Sequence, residues 1–203
     1  MHISILTFDG FNELDSLIAY GILNRINANW RVTIASPHPH VRSMNGLLLE
    51  SQVSLQEACL ADAVVIGSGS KTRAIAADAA LMAKLQLDPH RQLLAAQCSG
   101  ALILSRLGLL NGVPACTDLT TKPWAEEAGI EVLHQPFFAR GNIASAGGCL
   151  ASSYLAAWII VRLAGYEAAE AALHYVAPVG EKDEFVAQAL GNIRAFINCP
   201  GAL

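Results

Sequence analysis

Short runs of consecutive apolar residues alternate along the chain with longer stretches in which apolar positions recur every three or four residues. The short runs Ile3–Phe8, Arg31–Ala35, Ala63–Ile66, Gln92–Ala96 and Asn142–Ala146 predict β-strands. Several are nearly continuous in apolar character, as strands covered on both faces are. The longer stretches Asn12–Asn27, Thr72–Gln86, Ser99–Leu107, Gly148–Ala164 and Asp183–Asn198 predict helices. Between the second and third strands, Ser36–Ser54 carries two Pro-His pairs and then Asn45-Gly46 between short β-like runs, which reads as a small hairpin. Alternation of strand and helix argues for a parallel sheet between helix layers. No repeat, low-complexity tract or linker interrupts it, so one doubly wound α/β domain over residues 1–203 is expected.

Composition narrows the function classes. Of the 203 residues, 53% are apolar and only 15% charged, against roughly 25% charged in an ordinary domain. Such a chain buries a large core and is not intrinsically disordered. Thirteen basic against 17 acidic residues leave a net charge of −4, which offers no electrostatic footing for nucleic acid. The uncharged stretch Ile143–Val161 approaches bilayer-spanning length, but its serines and glycines favour a helix buried against the sheet. No membrane association is expected. The N-terminus lacks the basic n-region of a signal peptide. The five cysteines, at 59, 98, 116, 149 and 199, form no C-x-x-C pair, so neither a disulfide framework nor a zinc site is expected. Free thiols on a leaderless chain point to the cytoplasm.

In doubly wound folds, ligands bind where strands turn into helices. One such junction holds chemistry. Gln92-Leu-Leu-Ala-Ala-Gln-Cys98-Ser-Gly runs from strand to helix with Cys98 at the turn. A tight turn of this kind pushes its side chain into a cleft, as a nucleophile elbow does. The helix N-terminus is expected to favour thiolate over thiol, and the Ser99 amide to face an oxyanion formed by attack from Cys98. The alternative is a small apolar core residue, since unpaired cysteine is among the most buried types. Cys59, Cys116, Cys149 and Cys199 lack this context and read as structural. Gly67-Ser-Gly69-Ser70 after the third strand fails as a dinucleotide fingerprint, because Thr72 stands where the last glycine belongs. It remains either an oxyanion turn, through the amides of Gly69 and Ser70, or a plain turn that needs glycine. On the first helix, Glu13 and Asp15 flank an inward stripe of Leu14, Leu17, Ile18, Gly21 and Ile22 on opposite sides. Spacing does not choose between them, and an acid three residues after Asn12 also suits a helix cap.

Ala-Gln-Cys98-Ser-Gly-Ala followed by Leu107-Gly-Leu-Leu-Asn-Gly112 resembles the nucleophile segment of the ThiJ/PfpI superfamily. The likeness extends to Asp62-Ala-Val-Val-Ile-Gly-Ser-Gly69, to Gly141-Asn-Ile-Ala-Ser-Ala-Gly-Gly148 and to Phe11-Asn-Glu-Leu-Asp15. It implies a flavodoxin-like three-layer α/β/α sandwich with a mainly parallel central sheet, and Cys98 as nucleophile. The family's site acid follows a hydrophobic residue early in the first helix, and Leu14-Asp15 matches it. Asp15 would then protonate an intermediate or hold the sulfur. Thr117, Asp118 and Gly147, with Glu13, are further pocket candidates. Homodimer formation is implied as well, and Trp158 on the Gly148–Val161 segment is expected to be exposed for it.

Two departures set the branch. Ser99 follows Cys98 where the peptidase-like and amidotransferase-like branches place a histidine. Asp118 stands where many relatives carry one. Neither His2, His38, His40, His90, His134 nor His174 falls in a pattern that completes a Cys-His dyad or a metal site. Cys98 paired with Asp15 and no histidine is similar to the isonitrile hydratase branch. The expected function is therefore a cysteine-dependent hydratase or hydrolase acting on a small-molecule substrate without a cofactor. The alternatives are a redox or stress protein that oxidises the same cysteine, a glyoxalase- or deglycase-like enzyme, and a non-catalytic small-molecule sensor domain.

Overall fold

The apolar runs pair with one another over most of their length. The computed structural model of the chain describes residues 1–27 and 29–197. Its strands are β1 (His2–Leu6), β2 (Arg31–Ala35), β3 (His40–Arg42), β4 (Leu48–Glu50), β5 (Ala63–Ile66), β6 (Leu93–Gln97), β7 (Phe137–Arg140) and β8 (Ile143–Ala146). Six of them form one sheet in the order β2-β1-β5-β6-β8-β7, parallel throughout except that β7 runs antiparallel at the edge. The segment expected as a hairpin is one: β3 and β4 pair antiparallel outside the main sheet. β7 has no counterpart among the expected strands. It alternates buried Phe137 and Ala139 with partly or fully exposed Phe138 and Arg140, the pattern of a covered edge strand.

The helices are α1 (Glu13–Leu23), α2 (Leu55–Ala58), α3 (Thr72–Ala77), α4 (Ala79–Met82), α5 (Gly100–Arg106), α6 (Lys122–Glu127), α7 (Ser152–Ala164), α8 (Tyr166–Val176) and α9 (Lys182–Arg194). Alternate residues of each central strand feed two cores. Leu93 and Ala95 of β6 pack with α1, α7, α8 and α9. Leu94 and Ala96 pack on the opposite face with α2–α6. This is a flavodoxin-like α/β/α arrangement. The expected helix Thr72–Gln86 is divided, because the Asp78 carboxylate caps a new start by accepting from the Leu81 N–H at 3.0 Å. The end of the last expected helix, Asn198, lies outside the described residues.

Two expectations about burial are corrected. Trp158 is fully buried, packed against the Phe137 ring at 6.4 Å and beneath the Arg162 guanidinium, so it presents nothing to a partner. On α1 the inward face is turned from the expected stripe: Leu14 is 52% exposed, whereas Asp15, Ser16, Ala19, Ile22 and Leu23 are buried. The helix thus drives two polar residues into the protein at its N-terminal end, directly at the ends of the strands.

Candidate active site

The strand order changes direction at β1, which lies between β2 and β5. The crevice outside the carboxyl ends of the strands at such a point is the usual ligand position in open α/β sheets. Four turns meet there: those after β1, β5, β6 and β8. Cys98 follows β6 directly and is held at φ +45°, the only non-glycine residue in the left-handed region among the described residues. A side chain in that region costs roughly 1–2 kcal/mol, which is tolerated where surrounding structure imposes it. Here the Cys98 N–H donates to the Ala146 carbonyl at 2.8 Å. Gly100 lets α5 start against β5, since a Cβ there would lie 2.5 Å from the Ile66 carbonyl oxygen. The elbow expected from the sequence is therefore present.

The sulfur is 3% exposed with its residue and receives two N–H donors, from Gly148 and from Gln97 Nε2, each at 3.3 Å. Asp15 is fully buried. Its carboxylate accepts from Ser68 Oγ and, at 3.2 Å, from Ser16 Oγ. Burial raises its pKa to about 6 even though these hydroxyls and the Ser16 and Ser68 amides pull the other way. Burial likewise pushes the Cys98 thiol up to about 12, aided by the negative charge of Asp15 and, further down, of Asp118. The donors from Gln97 and Gly148 oppose that rise without cancelling it. Desolvation and the nearby carboxylate charge thus oppose the thiolate that the helix terminus is expected to favour.

The oxyanion turn is also revised. The Gly69 N–H donates to Ser99 Oγ at 3.1 Å and the Ser70 N–H to the Gly10 carbonyl at 2.9 Å, so both amides are occupied. Ser99 Oγ in turn donates to Thr72 Oγ1 at 2.9 Å, locking the turn after β5 to the start of α5. The Ser99 amide itself has no acceptor among the described residues.

Thr117, Asp118 and Gly147 line a cleft of about 600 Å³ together with His134, Lys122 and Gly148, the last of which binds the sulfur. Gly147 is required there: a Cβ would sit 2.3 Å from the Thr117 carbonyl oxygen. Asp118 serves as a cap, accepting from the Thr120 and Thr121 N–H groups and from Thr121 Oγ1 at 2.7 Å. Glu13 stands apart from that cleft. Burial disfavours its charge, but its own amide and the side chains of Asn45 and Ser43 outweigh this and hold the carboxyl below the ordinary range. Neither this cleft nor a second one, of about 670 Å³ around Leu55, Cys59 and Arg91, has Cys98 in its lining. Of the other cysteines, Cys116 is buried beside Ser145, and Cys149 accepts from Asn12 Nδ2 at 3.2 Å. Cys199 lies outside the described residues. No group of three or more His, Cys, Asp or Glu side chains suited to a metal ion occurs among the described residues, and no helix there is long and apolar enough to cross a membrane.

Three contributors were not anticipated: Gln97, Gly148 and Ser68. Ser68 lay inside the glycine turn that was read for its backbone alone. Gln97 stood one residue before the thiol, a polar residue ending an apolar strand.

Residues 1–161 match the DJ-1/PfpI family. The chain belongs to that family. Its fold is also that of solved family structures. Schizosaccharomyces pombe DJ-1 superposes with a TM-score of 0.75 at 15% identity, covering 88% of this chain and 100% of that one. A ThiJ/PfpI family protein from Pseudomonas syringae gives 0.76 at 18% identity, covering 95% and 87%. Oxidised Toxoplasma gondii DJ-1 gives 0.72 at 20%, covering 86% and 97%. No curated protein matches the sequence.

Proposed function

We propose that this family member is a cysteine-dependent hydratase acting on a small electrophilic molecule, similar in chemistry to the isonitrile hydratases. The observation that carries the reading is a strained, buried Cys98 that feels the charge of a buried Asp15, whose own pKa is raised to about 6. At neutral pH the acid is ionised while the thiol is protonated. Such a pair suits general-base activation: the thiol proton leaves toward Asp15 as sulfur attacks.

With an isonitrile, sulfur bonds to the terminal carbon and the proton held by Asp15 passes to that same carbon, giving a thioimidate. Water then adds to the carbon, the C–S bond breaks, and an N-substituted formamide leaves with the thiol regenerated. The Gly148 and Gln97 N–H groups stabilise negative charge on sulfur as it develops and departs. The Ser99 amide is the remaining donor for charge on the substrate. Association as a homodimer and a cytoplasmic setting belong to this proposal as properties implied by family resemblance.

The test is turnover of an alkyl isonitrile to its formamide, followed by mass spectrometry. Cys98→Ala and Asp15→Asn are expected to lose it. Full turnover by folded Cys98→Ala would refute the reading. A redox role for Cys98 is the second reading, supported by the same two N–H donors, which suit a sulfur-bound oxygen, and by the oxidised state of the Toxoplasma relative. Mass gain at Cys98 under mild peroxide, without isonitrile turnover, would favour it.

A further inference from the structure

Two glutamines on or beside β6 are each 1% exposed, and they are built differently. Gln92 has every polar atom engaged: Nε2 donates to the Ala61 and Cys59 carbonyls at 2.7 and 3.3 Å, and Oε1 accepts from the Asp88 N–H at 2.9 Å. It ties the loop before β5 to the loop before β6 and is structural. Gln97 donates from Nε2 to the Gly148 carbonyl at 2.9 Å and to Cys98 Sγ at 3.3 Å, while its Oε1 is buried with no partner. The amide cannot be reversed, since the Gly148 carbonyl accepts only. A buried carbonyl without a partner is unfavourable, and packing alone would favour an apolar residue at this position.

What Gln97 supplies is geometry at sulfur. By holding the Gly148 carbonyl it fixes the turn after β8, where Gly148 sits at φ +90°, and that turn aims the Gly148 N–H at the same sulfur. We propose that Gln97 is a catalytic residue of the Cys98 site, donating one N–H to the attacking sulfur directly and positioning the Gly148 N–H as the second. This rests on Cys98 being the nucleophile. The acidic groups whose charge bears on the sulfur, Asp15 on α1 and Asp118 before α6, both disfavour a thiolate. The two N–H donors are what oppose them.

The experiment uses the full chain, iodoacetamide and peptide mass spectrometry, so that Cys98 and Cys149 are followed separately at pH 8. Thermal unfolding is measured alongside. Gln97→Met replaces the amide with an apolar chain of similar length. Gln97→Glu keeps the shape but turns an acceptor toward the Gly148 carbonyl. Both are expected to slow Cys98 alkylation at least tenfold, the loss of a hydrogen bond to a charged sulfur, with Cys149 unchanged. Gln97→Met is expected to melt no lower than wild type, whereas Gln92→Met melts lower. Unchanged Cys98 rates in the folded variants would overturn the proposal. So would a Gln97→Met protein that melts as low as Gln92→Met and reacts faster at every cysteine. A wild-type Cys98 that reacts no faster than buried Cys116 would instead remove the nucleophile reading itself, and this proposal with it.

Discussion

Ser68 Oγ donates to the Asp15 carboxylate across the gap between the β5 turn and α1, and Ser16 Oγ donates to its other oxygen. The two hydroxyls keep a carboxyl group inside the protein that burial alone would leave protonated. They only partly succeed: its pKa is raised to about 6, against an ordinary 3.8. The site therefore contains an acid poised to titrate close to neutrality, next to a thiol that Asp15 itself helps to keep protonated.

Stability should report this directly. Below the ordinary carboxylate range Asp15 is protonated in both folded and unfolded chains, and above about 6 it is ionised in both. Because the folded value is raised, the Asp15 contribution to stability is greatest in acid and is lost as pH rises from about 4 to about 6. A shift of some two units corresponds to about 3 kcal/mol. Asp15→Asn is expected to be more stable than wild type at pH 7 by roughly 1–3 kcal/mol, less what the Ser16 and Ser68 hydrogen bonds forfeit. Urea unfolding should show the advantage shrinking toward zero near pH 4.

Activity should follow the opposite course. If the Asp15 carboxylate takes the thiol proton, isonitrile turnover rises with pH through about 6 and then levels. In Asp15→Asn that rise disappears along with most of the turnover, typically a loss of 10²–10⁴ for a general base. A pH–rate profile of both proteins checks this, and a wild-type profile flat between pH 5 and 8 contradicts it.

The backbone at Cys98 offers a comparison between two small residues. Both Cys98→Ala and Cys98→Gly remove the nucleophile, but only glycine adopts φ +45° without steric strain. Cys98→Gly is expected to be the more stable of the two by about 1 kcal/mol. Denaturant midpoints measured side by side would show the order.

Gly147 carries the cleft wall. Its missing side chain admits the Thr117 carbonyl oxygen, 2.3 Å from where a Cβ would stand. Gly147→Ala must displace the Thr117–Asp118 backbone, at a cost of about 1–3 kcal/mol for overpacking. A lowered melting temperature and a raised KM with Cys98 alkylation intact are the expected signature.

Much of this architecture was legible from local pattern. Consecutive apolar residues marked five of the six sheet strands, and the polar break at Cys98-Ser-Gly100 marked the elbow. Phe137–Arg140 escaped because a four-residue edge strand bears too short an alternation to stand out. The inward face of α1 was misread for an instructive reason. Periodicity assumes that apolar residues face in, and here Asp15 and Ser16 hold that place while Leu14 lies outside.

The sequence by itself determined the layered α/β fold, the thiol at a strand-to-helix turn and the family, because each follows from residues adjacent in the chain. Tertiary structure alone decided which groups are available for chemistry. The Gly69 amide is taken by Ser99, 30 residues away, the Asp15 carboxylate is held by Ser68, 53 away, and the sulfur is held by Gly148, 50 away. Protonation was decided there too. Whether a helix terminus yields a thiolate depends on burial and on the charges that folding brings beside the sulfur, and no spacing along the chain records either.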